Sequence, residues 1–128
     1  MNIAIIILTW NGVDLTKRCL DSLDKSVLPS NVEVIVVDNG SSDGTLEFLR
    51  KRKNIKLIEN AENLGYGKAV NIGIRAATPG SDIVLLNNDV ELVQHDWLVS
   101  LAKQANDFPV HGVIGVKILQ ENGQLQHC

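Results

Sequence analysis

Ile3-Ala-Ile-Ile-Ile-Leu8 is an unbroken apolar run rich in β-branched isoleucine. A strand with one wet face would alternate with polar residues; this one does not, so both faces must be covered, as in the centre of a parallel sheet. The run is too short to span a bilayer, and no basic segment or small-residue cleavage site flanks it as in a signal peptide. Val32 to Val37 reads as a second buried strand, and Ile55 to Ile58 and Asp82 to Leu86 supply a third and a fourth.

Helical spacing fills the gaps. Leu15, Cys19, Leu20 and Leu23 recur at helical intervals within Asp14 to Lys25, with Asp14 as the expected N-cap. Thr45 to Arg52 reads as a short helix. Ala69, Ile72, Gly73 and Ala76 mark the face of another, ended by Thr78-Pro79-Gly80. The order β-α-β-α-β-α-β demands parallel neighbours joined by crossovers, and a jump back past the first strand gives the sheet order 3-2-1-4. The fold class is therefore α/β, an open, mostly parallel, Rossmann-like sheet with helices on both faces. Beyond it, Trp97 to Asn106 reads as a helix, Gly112 to Leu119 as a further strand, and Asn122-Gly123 as a hairpin turn.

With 128 residues the chain suits one domain, and 45% hydrophobic with 21% charged residues excludes disorder and fibrous classes. A net charge of −3 and only 4% aromatics argue against nucleic acid as a partner. Arg50-Lys51-Arg52-Lys53 reads first as the solvated end of a helix and second as a small patch for peripheral association with an anionic membrane. Cys19 and Cys128 show no metal or redox spacing, Cys19 falling where a helix buries a thiol, which fits a reducing, cytoplasmic setting. His95, His111 and His127 share no ligand spacing, and no Ser-His or Cys-His pairing supports nucleophilic catalysis.

The polar residues that remain cluster where strands end. Thr9-Trp10-Asn11 follows the first strand, Asp38-Asn39-Gly-Ser-Ser-Asp43 the second and Asn87-Asn88-Asp89 the fourth. They converge on the edge where open α/β sheets bind ligands. Asp38 reads equally as an acceptor for a ligand's imide or ribose and as a turn residue bonding its own backbone. Gly65 and Gly67 let a phosphate or ribose approach the start of a helix without forming a dinucleotide fingerprint, and Lys68 is either a phosphate partner or a solvated lysine. Asp89 and Glu91 beside two asparagines form a hard oxygen set suited to Mg²⁺ or Mn²⁺. Trp97 reads as a packing residue, and Trp10 is the better placed of the two tryptophans to meet a ligand.

Ile7-Leu-Thr-Trp-Asn11, Val36-Val-Asp-Asn-Gly-Ser-Ser-Asp-Gly-Thr45, Asn63-Leu-Gly-Tyr-Gly67 with Asn71, and Leu85-Leu-Asn-Asn-Asp-Val90 together closely resemble the family 2 glycosyltransferases. The likeness is strongest to rhamnosyltransferase-like members of surface polysaccharide synthesis. It implies a GT-A fold, a nucleotide-diphospho-sugar donor, a divalent cation, a glycan or lipid-linked acceptor and an inverting displacement. By position it implies that Thr9, Trp10 and Asn11 line the nucleotide pocket, that Asp38 holds the base, and that Asn63, Gly65 and Lys68 border the donor. Asn87-Asn88-Asp89 takes the place of the Asp-x-Asp motif, with Asn87 and Asn88 beside the nucleotide and Asp89, backed by Glu91 on the same face of an extended segment, as metal ligand.

Residues 1–128 then form the donor-binding part of a GT-A domain. The acceptor half and the general base are expected beyond Cys128, so the chain by itself is expected to transfer no sugar. Two other classes fit less closely. One is a non-catalytic nucleotide-sugar-binding module, the other a nucleotidyltransferase, whose glycine-rich basic signature after the first strand is missing.

Overall fold

A computed structural model describes residues 2–110 and 112–126. Strands β1 (Ile3–Thr9), β2 (Val32–Asp38), β3 (Lys56–Glu59) and β4 (Asp82–Asn87) form one parallel sheet in the order β3-β2-β1-β4, as the crossover logic requires. The apolar run of β1 occupies the centre, its side chains from Ile3 to Ile7 almost wholly buried.

Helices lie on both faces. On one, α1 (Val13–Asp24), α2 (Thr45–Arg50) and α4 (Trp97–Asp107) cover Ile3, Ile5, Ile7 and Val36 with Cys19, Leu20, Leu23, Leu49 and Leu98. On the other, α3 (Tyr66–Ala76) sets Ala69 over Ala4, Ile6, Ile35 and Val37. Gly73 makes this second contact possible, because a Cβ there would stand 2.6 Å from Ile6 Cγ2 and 3.1 Å from Val37 Cγ2. Fully burying one such aliphatic side chain is worth about 1.5–3 kcal/mol, and the two clusters together hold most of the apolar runs.

Several local expectations are corrected. α1 starts one residue before Asp14, on Gly12 in the left-handed region with no side-chain cap, while the Val13 amide donates to Asp43 Oδ2 at 3.1 Å. A carboxylate from the next loop therefore does the work assigned to Asp14. Leu15 is exposed, and Thr16 takes the buried turn of α1 instead. The basic run is not simply solvated: Arg50 pairs with Glu59, and Arg52 lies over the Phe48 ring and pairs with Asp21 and Asp24. Trp97 packs as expected, its indole N–H donating to Ser26 Oγ at 3.0 Å.

Residues 112–119 form no strand. Only Leu119 pairs, in an isolated antiparallel bridge to Leu125 around Gly123 at φ +80°, so the hairpin turn is present and the strand leading into it is not. Apolar residues alone do not make a strand, which needs a neighbour to complete its hydrogen bonds. His111, His127 and Cys128 lie outside the described residues. No helix among the described residues is long and apolar enough to cross a membrane.

Candidate functional site

The carboxyl edge of the sheet aligns Thr9 with Asp38 across β1 and β2, and Leu8 with Asn87 across β1 and β4. Side chains then sew the loops together. Asn11, the one non-glycine described residue at positive φ (55°), accepts from the Ser42 amide through Oδ1 at 2.8 Å. Its own amide donates to Ser41 Oγ at 2.8 Å. Asp43 accepts the Thr45 hydroxyl and amide on one oxygen and the Val13 amide on the other. These bonds, the Thr45 hydroxyl foremost, hold the Asp43 carboxyl down at about 2, against an ordinary 3.8.

Thr9 does not face the pocket. It is 1% exposed, and its hydroxyl lies 2.8 Å from that of Thr16. Asn88 is likewise turned inward: its Nδ2 donates to Thr9 Oγ1 at 3.3 Å and to Thr16 Oγ1 at 3.1 Å. Both were read from sequence as lining the nucleotide. The structure makes them the footing of the turn that follows β4, because a short polar side chain beside a buried strand end satisfies its bonds inside.

The Cys19 thiol completes that footing by donating to the Asn87 carbonyl at 3.5 Å. Burial, and then the charge of Asp89, push its pKa up to about 11, so it stays a neutral donor. On top of this turn Asn87 and Asp89 are exposed. Among the described residues Asp89 makes no hydrogen bond or ion pair. Glu91 is exposed but 3.2 Å from Arg18, and β4 ends at Asn87, so the extended segment expected to align Glu91 with Asp89 is absent. No group of three or more acidic, His or Cys side chains that could hold a metal occurs among the described residues.

Asp38 is fully buried at the end of β2. Its Oδ2 accepts the Ser41 amide at 3.0 Å, the turn role, while its Oδ1 is buried without any partner. Beside it opens a hollow of about 500 Å³ lined by Asp38, Gly40, Ser41, Ser42, Leu46, Glu59, Asn60 and Ala61. Glu59 on the rim is held by both guanidinium arms of Arg50, at 2.9 and 2.7 Å, which lowers the Glu59 pKa and raises that of Arg50.

Asn63 accepts the Gly65 amide at 2.9 Å, in a turn with Gly65 at φ +80°. Lys68 and Trp10 are exposed, and among the described residues no hydrogen bond or ion pair joins them to the rest of the edge. Sequence reasoning missed Thr16 and the framing role of Cys19, and placed Ser41 and Asp43 in the polar cluster after β2 without assigning them a role. Thr16 left a trace, as a polar residue at a buried helical position. Ser41 and Asp43 act through contacts between loops 30 residues apart, and Cys19 through an acceptor 68 residues on, which no local pattern announces.

Known proteins share this fold. An N-acetylglucosaminyl-diphospho-decaprenol L-rhamnosyltransferase from Mycobacterium tuberculosis is 29% identical over 94% of this chain and 42% of its own length. A mannosyltransferase from Pyrobaculum calidifontis, solved in complex with GDP-Man and Mn2+, superposes with a TM-score of 0.75 at 29% identity, over 81% of this chain and 32% of its own. S. aureus TarS in complex with UDP-GlcNAc superposes at 0.74 and 26% identity, over 85% of this chain and 32% of that one. The chain spans less than half the length of these relatives. The family model of glycosyl transferase family 2 matches residues 4–125, nearly the whole described chain, and the chain belongs to that family.

Proposed function

We propose that residues 1–128 are the donor-binding part of an inverting glycosyltransferase that moves a sugar from a nucleotide-diphospho-sugar to a glycan or lipid-linked acceptor in surface polysaccharide synthesis. The observation that carries this reading is Asp38 Oδ1, a buried acceptor with no donor beside a hollow of about 500 Å³. Leaving such a group unsatisfied costs about 1–3 kcal/mol, and a ring N–H of a nucleobase entering the hollow removes that cost. Gly65, exposed and without a side chain, lets the donor approach the start of α3, where the free amides favour an anion, with Asn63 and Lys68 at its border. Trp10 and Asn11 border the nucleotide from the loop after β1. Thr9 and Asn88 serve it from beneath.

The donor set on the β4 turn suits Mg²⁺ or Mn²⁺ only in part: one unpaired acid, Asp89, beside the neutral Asn87. Such a cation takes one or two carboxylates and completes its shell with phosphate oxygens. When bound it neutralises the leaving diphosphate. Asp89 would hold it, and Glu91 would add a second carboxylate only on leaving its exposed, weak ion pair with Arg18. The reading carries a cytoplasmic setting with it. Any attraction to an anionic membrane falls chiefly to Lys51 and Lys53, since Arg50 and Arg52 are engaged.

A thermal-shift and calorimetric screen of UDP, GDP and their sugars with Mn²⁺ tests the site, because a ligand of the native state alone must raise stability. Asp38→Ala is expected to weaken nucleotide binding by about tenfold or more. Equal affinity in a folded Asp38→Ala chain refutes the assignment.

A further inference from the structure

We infer that Asn39 is the positioning residue of the donor hollow, holding the segment that forms one wall against the strand end that forms the other. The inference rests on the nucleotide reading above. Asn39 is 2% exposed, and bonds from the end of β1 and from the 60–64 segment converge on it. Its amide N–H donates to the Thr9 carbonyl at 2.8 Å. Its Oδ1 accepts Asn60 Nδ2 at 3.2 Å and the Leu64 amide at 3.0 Å, and its Nδ2 donates to Asn63 Oδ1 at 2.9 Å. That same Asn63 oxygen accepts the Gly65 amide, so the chain of bonds runs from the end of β2 to the residue before α3.

Gly40 keeps the two walls in register. It sits at φ +80°, and a Cβ on it would lie 2.8 Å from the backbone of Glu62, so only glycine allows the strand end and the 60–65 segment to meet so closely. Asp38, Asn60 and Ala61 face the hollow, and Asn39 touches none of its space. Its influence on a nucleotide therefore passes through Asn60, Asn63 and Leu64.

The side chain must be an amide. Two acceptor bonds and one donor bond are in use, and aspartate keeps the acceptors but sets a carboxyl oxygen against Asn63 Oδ1. Leucine or alanine leaves the half-buried Leu64 amide without its acceptor and leaves Asn63 tied only to the Gly65 amide.

The test is a double-mutant cycle on the 128-residue chain: wild type, Asn39→Ala, Asn63→Ala and the double variant. Affinity for UDP and GDP with Mn²⁺ is read by calorimetry and folding by circular dichroism. Asn39→Ala is expected to lose about tenfold or more in nucleotide affinity, Asn63→Ala less, and the double variant no more than Asn39→Ala alone, because the two act in series. A role confined to stability would move the melting temperature and leave nucleotide affinity uncoupled. If Asn39→Ala does not fold, Asn39→Asp replaces it, with the same loss expected from the inverted bond to Asn63. A folded Asn39 variant that binds as wild type does, or losses that simply add, overturns the role of Asn39 while leaving the site intact. A wild-type chain that binds neither nucleotide overturns the nucleotide reading and this inference with it.

Discussion

Asp43 shows how a residue can govern the site without meeting a ligand. It ties the loop after β2 to the first amide of α1, and its carboxyl is held down at about 2 while the unfolded chain returns it to 3.8. A depressed carboxyl stabilises the fold above the unfolded value and loses that contribution as pH falls through the folded one. The stability gap between wild type and Asp43→Asn is therefore expected to be constant above pH 4 and to close between about pH 4 and 2, as measured by urea unfolding. The contribution is modest because the group is exposed. A gap that persists at pH 2 would assign the loss to packing rather than to charge. Asp38 lies at the other extreme, buried and half satisfied, and there sequence left two roles open. Its Oδ2 takes the turn role, and its partnerless Oδ1 is the acceptor on which the nucleotide proposal rests, a division that no one-dimensional pattern can distinguish.

At the scale of elements, β1 and β2 were legible because a strand buried on both faces is largely apolar, and their order with β3 and β4 because parallel neighbours need crossovers. α1, α2 and α3 were legible from spacing, to within a residue or two of their ends. Two things were not. Asp14 looks like a cap only until the neighbouring loop is seen to supply one through Asp43. The segment 112–119 has the apolar content of a strand, yet strand identity is settled by pairing, and Val113 and Val116 stand 91% and 61% exposed. Gly73 makes the reverse point, since glycine in a helix interior reads as a weakness. Replacing it with alanine gains up to about 1 kcal/mol of helix propensity. The added Cβ meets Cγ2 of Ile6 at 2.6 Å, a side chain only 1% exposed and packed into the core. Overpacking of this kind costs about 1–3 kcal/mol, so Gly73→Ala is expected to lower the melting temperature by a few degrees. A higher melting temperature would mean that α3 shifts away from the sheet freely.

Across the whole molecule, the site is assembled from the ends of β1, β2 and β4, and its electrostatics follow from what that edge contributes. Thr9, Thr16, Cys19 and Asn88 spend their polar groups beneath the β4 turn, leaving Asp89 as the unpaired acid above it. Asn87 adds an oxygen without a charge. Mg²⁺ and Mn²⁺ give up water reluctantly to neutral ligands, so the nucleotide-free chain is expected to hold the cation weakly. A docked diphosphate brings the missing charge and oxygens, and linkage then requires that cation and nucleotide strengthen each other by the same factor. Calorimetric titration of Mn²⁺ with and without UDP measures that factor in both directions. Asp89→Ala is expected to abolish the coupling, and Glu91→Gln to reduce it only if Arg18 releases its partner. Asn87→Asp restores a second carboxylate and is expected to raise the affinity for free Mn²⁺ while shrinking the coupling, because less of the cation's shell is left for the nucleotide to supply. Tight Mn²⁺ binding by the nucleotide-free wild type would show that the protein alone completes the shell, and would move the cation away from a turn that offers it one acid.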